Sequence, residues 1–169
     1  MSVPLADDDD DDSLVKTGCR LFCVSQIAHL DRPVPWVWHG YLARQHLTLL
    51  TGQWKVGKTT LLAALLARLR HGGVLAGRPV SPGRAVVVTE EGANLWLTRA
   101  TRHGIGDGVR FAVNPFVRKP LPRQWGYLME DLAAVHGRGP VDLVVIEPLA
   151  AMLPGREEAS AAAMTEALR

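Results

Sequence analysis

The sequence predicts an α/β fold, a mostly parallel sheet flanked by helices, on three observations. Short apolar runs of strand length occur at residues 46–51, 84–89 and 142–146. Two of them are valine-rich, and continuous apolarity marks strands buried on both faces, as parallel strands are. Longer helix-forming segments closed by glycine lie between the runs, and that alternation builds parallel strands joined by right-handed crossovers. Finally, a glycine-framed loop at residues 52–57 follows the first run and opens a helix-forming segment, a place where α/β sheets gather ligands.

A chain of 169 residues can bury roughly 70% of its extended surface. Its 47% hydrophobic and 21% charged residues are ordinary for a globular protein and exclude collagen-like, disordered and disulfide-scaffold classes. The net charge of +2 hides an asymmetry. Six of the seventeen acidic residues are the aspartates at 7–12, leaving eleven acidic against nineteen basic residues, a surplus of eight, from Ser13 onward.

Residues 1–13 are expected to form a disordered acidic tail, because adjacent like charges repel and bury nothing. Residues 14–40 read as an N-terminal extension, and residues 41–169 as the core. Within the extension, 14–30 is mildly apolar, with Cys19 and Cys23 four residues apart on one helix face as small buried hydrophobes. They lack partners at zinc spacing. The DRPVP run at 31–35 breaks any helix. Trp36, Trp38 and Tyr41 then form an aromatic cluster, expected as a lid packed over the core rather than a clamp for a base.

In the core, residues 46–51 read as a buried strand. Residues 58–70, rich in leucine and alanine, read as a helix stopped at Gly72 and Gly73. After a Gly/Pro-rich loop comes the strand at 84–89, then a helix capped by Asn94 and closed by Gly104. A strand at 109–113, a helix at 123–136 stopped by Gly137, Gly139 and Pro140, and a strand at 142–146 follow. An acid-started helix at 157–168 ends the chain. No apolar run approaches the ~18 residues that cross a bilayer, and the first residues lack the features of a signal peptide. The chain reads as cytosolic, without a membrane partner.

The loop carries the chemistry. Gly52, Gln53, Trp54, Lys55, Val56, Gly57, Lys58 and Thr59 spell a complete GxxxxGK[ST] motif between strand and helix, the pattern of a nucleotide phosphate site. The two glycines let successive backbone N–H groups turn toward one anion, and the following helix adds its positive end. Lys58 is expected on the β- and γ-phosphates and Thr59 on Mg²⁺. Hydrolysis also needs carboxylates for the metal and for water. Glu147, ending one strand, is the candidate metal-side acid; Glu90 and Glu91, ending another, are candidates for activating water. Asp142 begins its strand and belongs at the far edge. Arg99, Arg102, Arg118 and Lys119 add basic surface that could meet nucleic acid, although an arginine-rich composition accounts for them better.

The segments PVPWVWHGYLARQHLTLLTGQWKVGKTTLL, GRAVVVTEEGANLWLTR and VDLVVIEPLAAMLPG together resemble the RecA-like P-loop ATPases. More narrowly, they resemble AAA-family ATPases similar to the plasmid replicative helicase RepA. The likeness covers residues 33–160. It implies a RecA-type core, often hexameric, that binds Mg-ATP and couples hydrolysis to movement on DNA. It makes residues through Thr60 the Walker A loop, Glu91 the water-activating glutamate in preference to Glu90, and Glu147 the Walker B acid. The family usually has aspartate at that last position, and continues past it into another strand that lies between the Walker A and Walker B strands. No segment here reads as that strand, so the core is expected to be incomplete, either truncated after Walker B or completed by a partner chain. The expected function is hydrolysis of Mg-ATP to ADP and phosphate, linked to DNA replication, recombination or mobile elements; the alternative is a nucleotide-binding module without turnover. A small-molecule kinase lacks its arginine-rich lid here, and a GTPase its NKxD sequence.

Overall fold

Residues 21–28 and 33–154 are described in a computed structural model. The aspartate run at 7–12, Cys19 and the expected helix at 157–168 lie outside the described residues. The chain divides into two compact units, residues 1–34 and 35–169.

In the first unit, α1 (Val24–Ala28) is little more than one turn. Cys23 precedes it and is exposed, contrary to the buried position expected of it. A five-residue helix has little face with which to cover a neighbour, and Leu21, Val24 and Ile27 are exposed as well. The Cys23 thiol meets the Ser25 hydroxyl at 3.0 Å, and that contact lowers its pKa.

The second unit holds two sheets. β1 (Trp36–Trp38), β2 (Leu42–Ala43), β3 (Gly73–Leu75) and β4 (Arg78–Val80) form an antiparallel sheet in the order β2-β1-β4-β3. β5 (Ala85–Thr89), β6 (Val109–Val113) and β7 (Leu143–Glu147) form a parallel sheet in the order β6-β5-β7. Four helices accompany them: α2 (Lys58–Arg68), α3 (Ala93–His103), α4 (Pro122–Arg138) and α5 (Leu149–Met152).

The central strand explains the layering. Every residue of β5 is buried, and successive side chains point to opposite faces. Val87 joins Leu65, Leu66 and Leu69 from α2 and its end, together with Trp96 of α3. Val88 joins Trp125 and Leu128 of α4 with Met152 and Leu153. Helices therefore cover both faces of the parallel sheet, as the continuous apolarity of residues 84–89 requires. The register sets Thr89 of β5 opposite Val113 and Glu147, so three strand ends share one edge.

Several local expectations are corrected. Residues 46–51 form no strand, and Leu47, Leu49 and Leu50 are each more than half exposed. An apolar run becomes a buried strand only beside a pairing partner, and none of the described strands pairs with it; β7 pairs with β5 alone. The Gly/Pro-rich loop contains the hairpin β3–β4, turning at Ala76 and Gly77, both with positive φ, as tight two-residue hairpin turns require. Asn94 does not cap α3: Gly92 is the N-cap and makes no side-chain cap bond. The aromatic cluster divides. Trp38 is buried and donates its indole N–H to the Leu75 carbonyl at 3.1 Å, whereas Tyr41 is half exposed against the Trp38 ring.

Candidate functional site

The glycine loop joins the extended segment at 46–51 to α2. Gly57 takes φ +95° at the helix N-cap and Lys55 takes φ +61° at the loop apex. A Cβ at Gly57 would meet no atom, so that glycine is required by the left-handed backbone and not by lack of space. Residues 51–57 are all exposed, which leaves the loop open to a ligand from solvent. Trp54 is 85% exposed, and the Lys55 ammonium lies over its ring at 4.4 Å.

Lys58, the first residue of α2, folds back across the loop. Its Nζ donates to the carbonyls of Gly52 at 3.0 Å and Gln53 at 2.8 Å. The first turn of α2 carries no acidic residue, so the positive helix end stays uncompensated. The Lys58 ammonium and the positive end of α2 thus meet at the same loop.

Thr59 and Thr60 follow, with Thr59 half-buried and Thr60 exposed. The Thr59 hydroxyl donates to Glu147 Oε1 at the end of β7, a contact between residues 88 apart in the chain. Glu147 Oε2 is buried and has no hydrogen-bond partner among the described residues. Leaving a buried carboxylate oxygen unpaired costs on the order of 1–3 kcal/mol, so the pair has acceptor capacity left over on the Glu147 Oε2 side. A hydroxyl beside a carboxylate with a spare oxygen suits a hard divalent cation that draws its other ligands from phosphate and water. Among the described residues, no group of three or more His, Cys, Asp or Glu side chains could hold a metal by itself.

The neighbouring strand end treats its two glutamates differently. Glu90 N–H donates to the Glu147 carbonyl at 3.3 Å, which ties the ends of β5 and β7, while the Glu90 side chain is exposed. Glu91 is half-buried and held by both terminal nitrogens of Arg99, one of them at 2.9 Å. Arg99 rests on Trp96, 4.9 Å from the ring centroid. Trp96 donates its indole N–H to Thr89 Oγ1 at 3.1 Å, and the same hydroxyl accepts the Glu91 backbone N–H at 3.1 Å. The Glu91 hydrogen bonds raise the Arg99 guanidinium above its ordinary pKa against the effect of burial, helped by the charge of Glu147. Arg99 is therefore an internal partner of the site rather than free basic surface. Arg118 and Lys119 lie on the loop after β6, and Arg102 is exposed on α3.

Asp142 sits at the opposite end of β7 from Glu147. It accepts the Arg44 guanidinium at 2.7 Å and the Arg84 amide at 2.8 Å. The structure thus brings Lys58, Thr59, Glu91, Arg99 and Glu147 to one edge of the parallel sheet. Sequence reasoning missed Arg99 as a site residue; the available signal was its i, i+3 spacing from Trp96, which puts both on one helix face.

Comparison with curated proteins and with solved structures gives no match. A family model described as AAA domain matches residues 15–169, all but the first fourteen residues, and the chain belongs to that family.

Proposed function

We propose that this AAA-domain protein is a magnesium-dependent ATPase. The observation that carries the reading is the Thr59–Glu147 contact, with Glu147 Oε2 buried beside it and unpartnered among the described residues. Lys58 would exchange its two loop carbonyls for β- and γ-phosphate oxygens as a mobile point charge. Thr59 and Glu147 would hold Mg²⁺, which supplies neutralisation of the charge developing on the phosphates. Residues 52–60 would cradle the phosphates through backbone N–H groups. Glu91, half-buried and oriented, suits the task of holding and polarising the attacking water better than the exposed Glu90.

On the likeness to replicative helicases, the energy of hydrolysis goes to movement on DNA within a ring of identical subunits. No helix among the described residues is long and apolar enough to cross a membrane, and the reading puts the protein in the cytosol with its nucleotide.

The test compares ATP binding and turnover in the wild type, Lys58→Ala and Glu91→Gln. Turnover in the wild type is expected to require Mg²⁺. Lys58→Ala is expected to lose nucleotide affinity. Glu91→Gln is expected to bind normally and to lose turnover by about 10²-fold or more. Equal turnover in the wild type and Glu91→Gln, with binding lost only in Lys58→Ala, would leave a nucleotide-binding module without catalysis. Single-stranded DNA that neither binds nor changes turnover would remove the DNA-linked part.

A further inference from the structure

We propose that Arg99 is the positioning residue of this site, setting the orientation of the Glu91 carboxylate; the inference rests on the ATPase reading above. A glutamate at a strand end has three side-chain torsions free, and a base that polarises water must point one way. Arg99 removes that freedom by gripping both carboxylate oxygens through two nitrogens, a planar fork that fixes angle as well as distance.

The grip is itself anchored. The guanidinium lies over Trp96, which is 2% exposed, and the Trp96 indole is tied to the fully buried Thr89 hydroxyl. That hydroxyl also accepts the backbone N–H of Glu91. Thr89, Glu91, Trp96 and Arg99 thus close a ring of contacts that fixes Glu91 at both its backbone and its carboxylate. The fork takes up two of the roughly four lone-pair positions of a carboxylate, so acceptor capacity remains for a water molecule. Arg99 also feels the charge of Glu147, which places one cation within electrostatic reach of both acids.

A lysine could supply the charge but not the fork. The measurement is kcat and KM for Mg-ATP in the full chain, with nucleotide affinity and thermal midpoint recorded alongside. Arg99→Ala is expected to lower kcat by about 10–100-fold, the range of effects when an orienting partner is lost, with KM and nucleotide affinity within about two-fold of wild type. Arg99→Lys is expected to recover only part of kcat, and millimolar guanidinium to restore part of the turnover of Arg99→Ala. In a Glu91→Gln background, Arg99→Ala is expected to add almost no further loss, because one residue acts through the other. Should Arg99→Ala fail to fold, Arg99→Lys measured alone and in the Glu91→Gln background carries the test, its partial loss expected to disappear in that background. Unchanged or increased kcat in Arg99→Ala overturns the proposal, increased kcat marking the pair as a restraint. A loss in Arg99→Ala that adds fully to that of Glu91→Gln also overturns it. A wild type with no turnover overturns the ATPase reading first, and this inference with it.

Discussion

In the proposed ATPase, metal binding turns on the Glu147 side chain. One of its oxygens accepts a hydrogen bond from Thr59 and the other is buried without a partner among the described residues. Glu147→Gln keeps an acceptor for Thr59 and removes the charge. The thermal midpoint without metal is expected to stay within about 2 °C of wild type, a difference of about 1 kcal/mol or less for a domain of this size. The stabilisation that Mg²⁺ adds beyond a non-hydrolysable ATP analogue alone is expected to vanish, as thermal shift would show. A midpoint that rises with Mg²⁺ above that with nucleotide alone as much in Glu147→Gln as in the wild type would remove this residue from the metal site. The acid was legible in the sequence because it ends an apolar run, where ligands gather in α/β sheets. Arg99 was not, since its partner lies eight positions back across a strand-to-helix turn, and only the turn at 90–92 decides that α3 returns over the strand end.

Elements differ in how much they depend on their neighbours. β5 is central and wholly buried, whereas β7 has one pairing partner among the described strands and Val144 is 44% exposed. Val87→Ala is expected to destabilise by about 2 kcal/mol and Val144→Ala by less than about 1 kcal/mol, both read from urea unfolding. On α3, Trp96 fills the core and ties the helix to Thr89. Trp96→Phe is expected to cost about 1–2 kcal/mol for the lost hydrogen bond and volume, and to lower turnover as well, since the ring that seats Arg99 shrinks. Full turnover in Trp96→Phe would show that the seat can be made another way. Strands 84–89, 109–113 and 142–146 and three helices were readable from pattern because their periodicity is local. The β3–β4 hairpin was hidden by its glycines and Pro79, which announce a loop until long-range pairing is known.

Across the whole molecule, Asp142 links distant parts of the second unit. It joins Arg44, just after β2, to Arg84, just before β5. Burial raises its carboxyl pKa, but the Arg84 amide and the Arg44 guanidinium outweigh that effect and hold it below the ordinary carboxylate value. A depressed folded pKa means stability that is fully present above the unfolded value of roughly 3.9 and is lost as pH falls through the folded value. Asp142→Asn is expected to lower stability at neutral pH by about 1–2 kcal/mol. It should also flatten the acid limb of the stability profile, measured by urea unfolding between pH 2 and 7. An acid limb identical to wild type would assign the loss to other carboxylates.

By itself the sequence determined the alternation of strand and helix, the glycine loop with Lys58 and Thr59, and the acids at two strand ends. Each of these is written in residues that are neighbours along the chain. Tertiary structure decided that residues 46–51 are exposed and pair with none of the described strands, that Glu91 rather than Glu90 is held, and that Arg99 faces inward. Those outcomes depend on which segments lie side by side in space. Pairing, burial and ion contacts join residues from eight to nearly a hundred positions apart, and no local pattern encodes them.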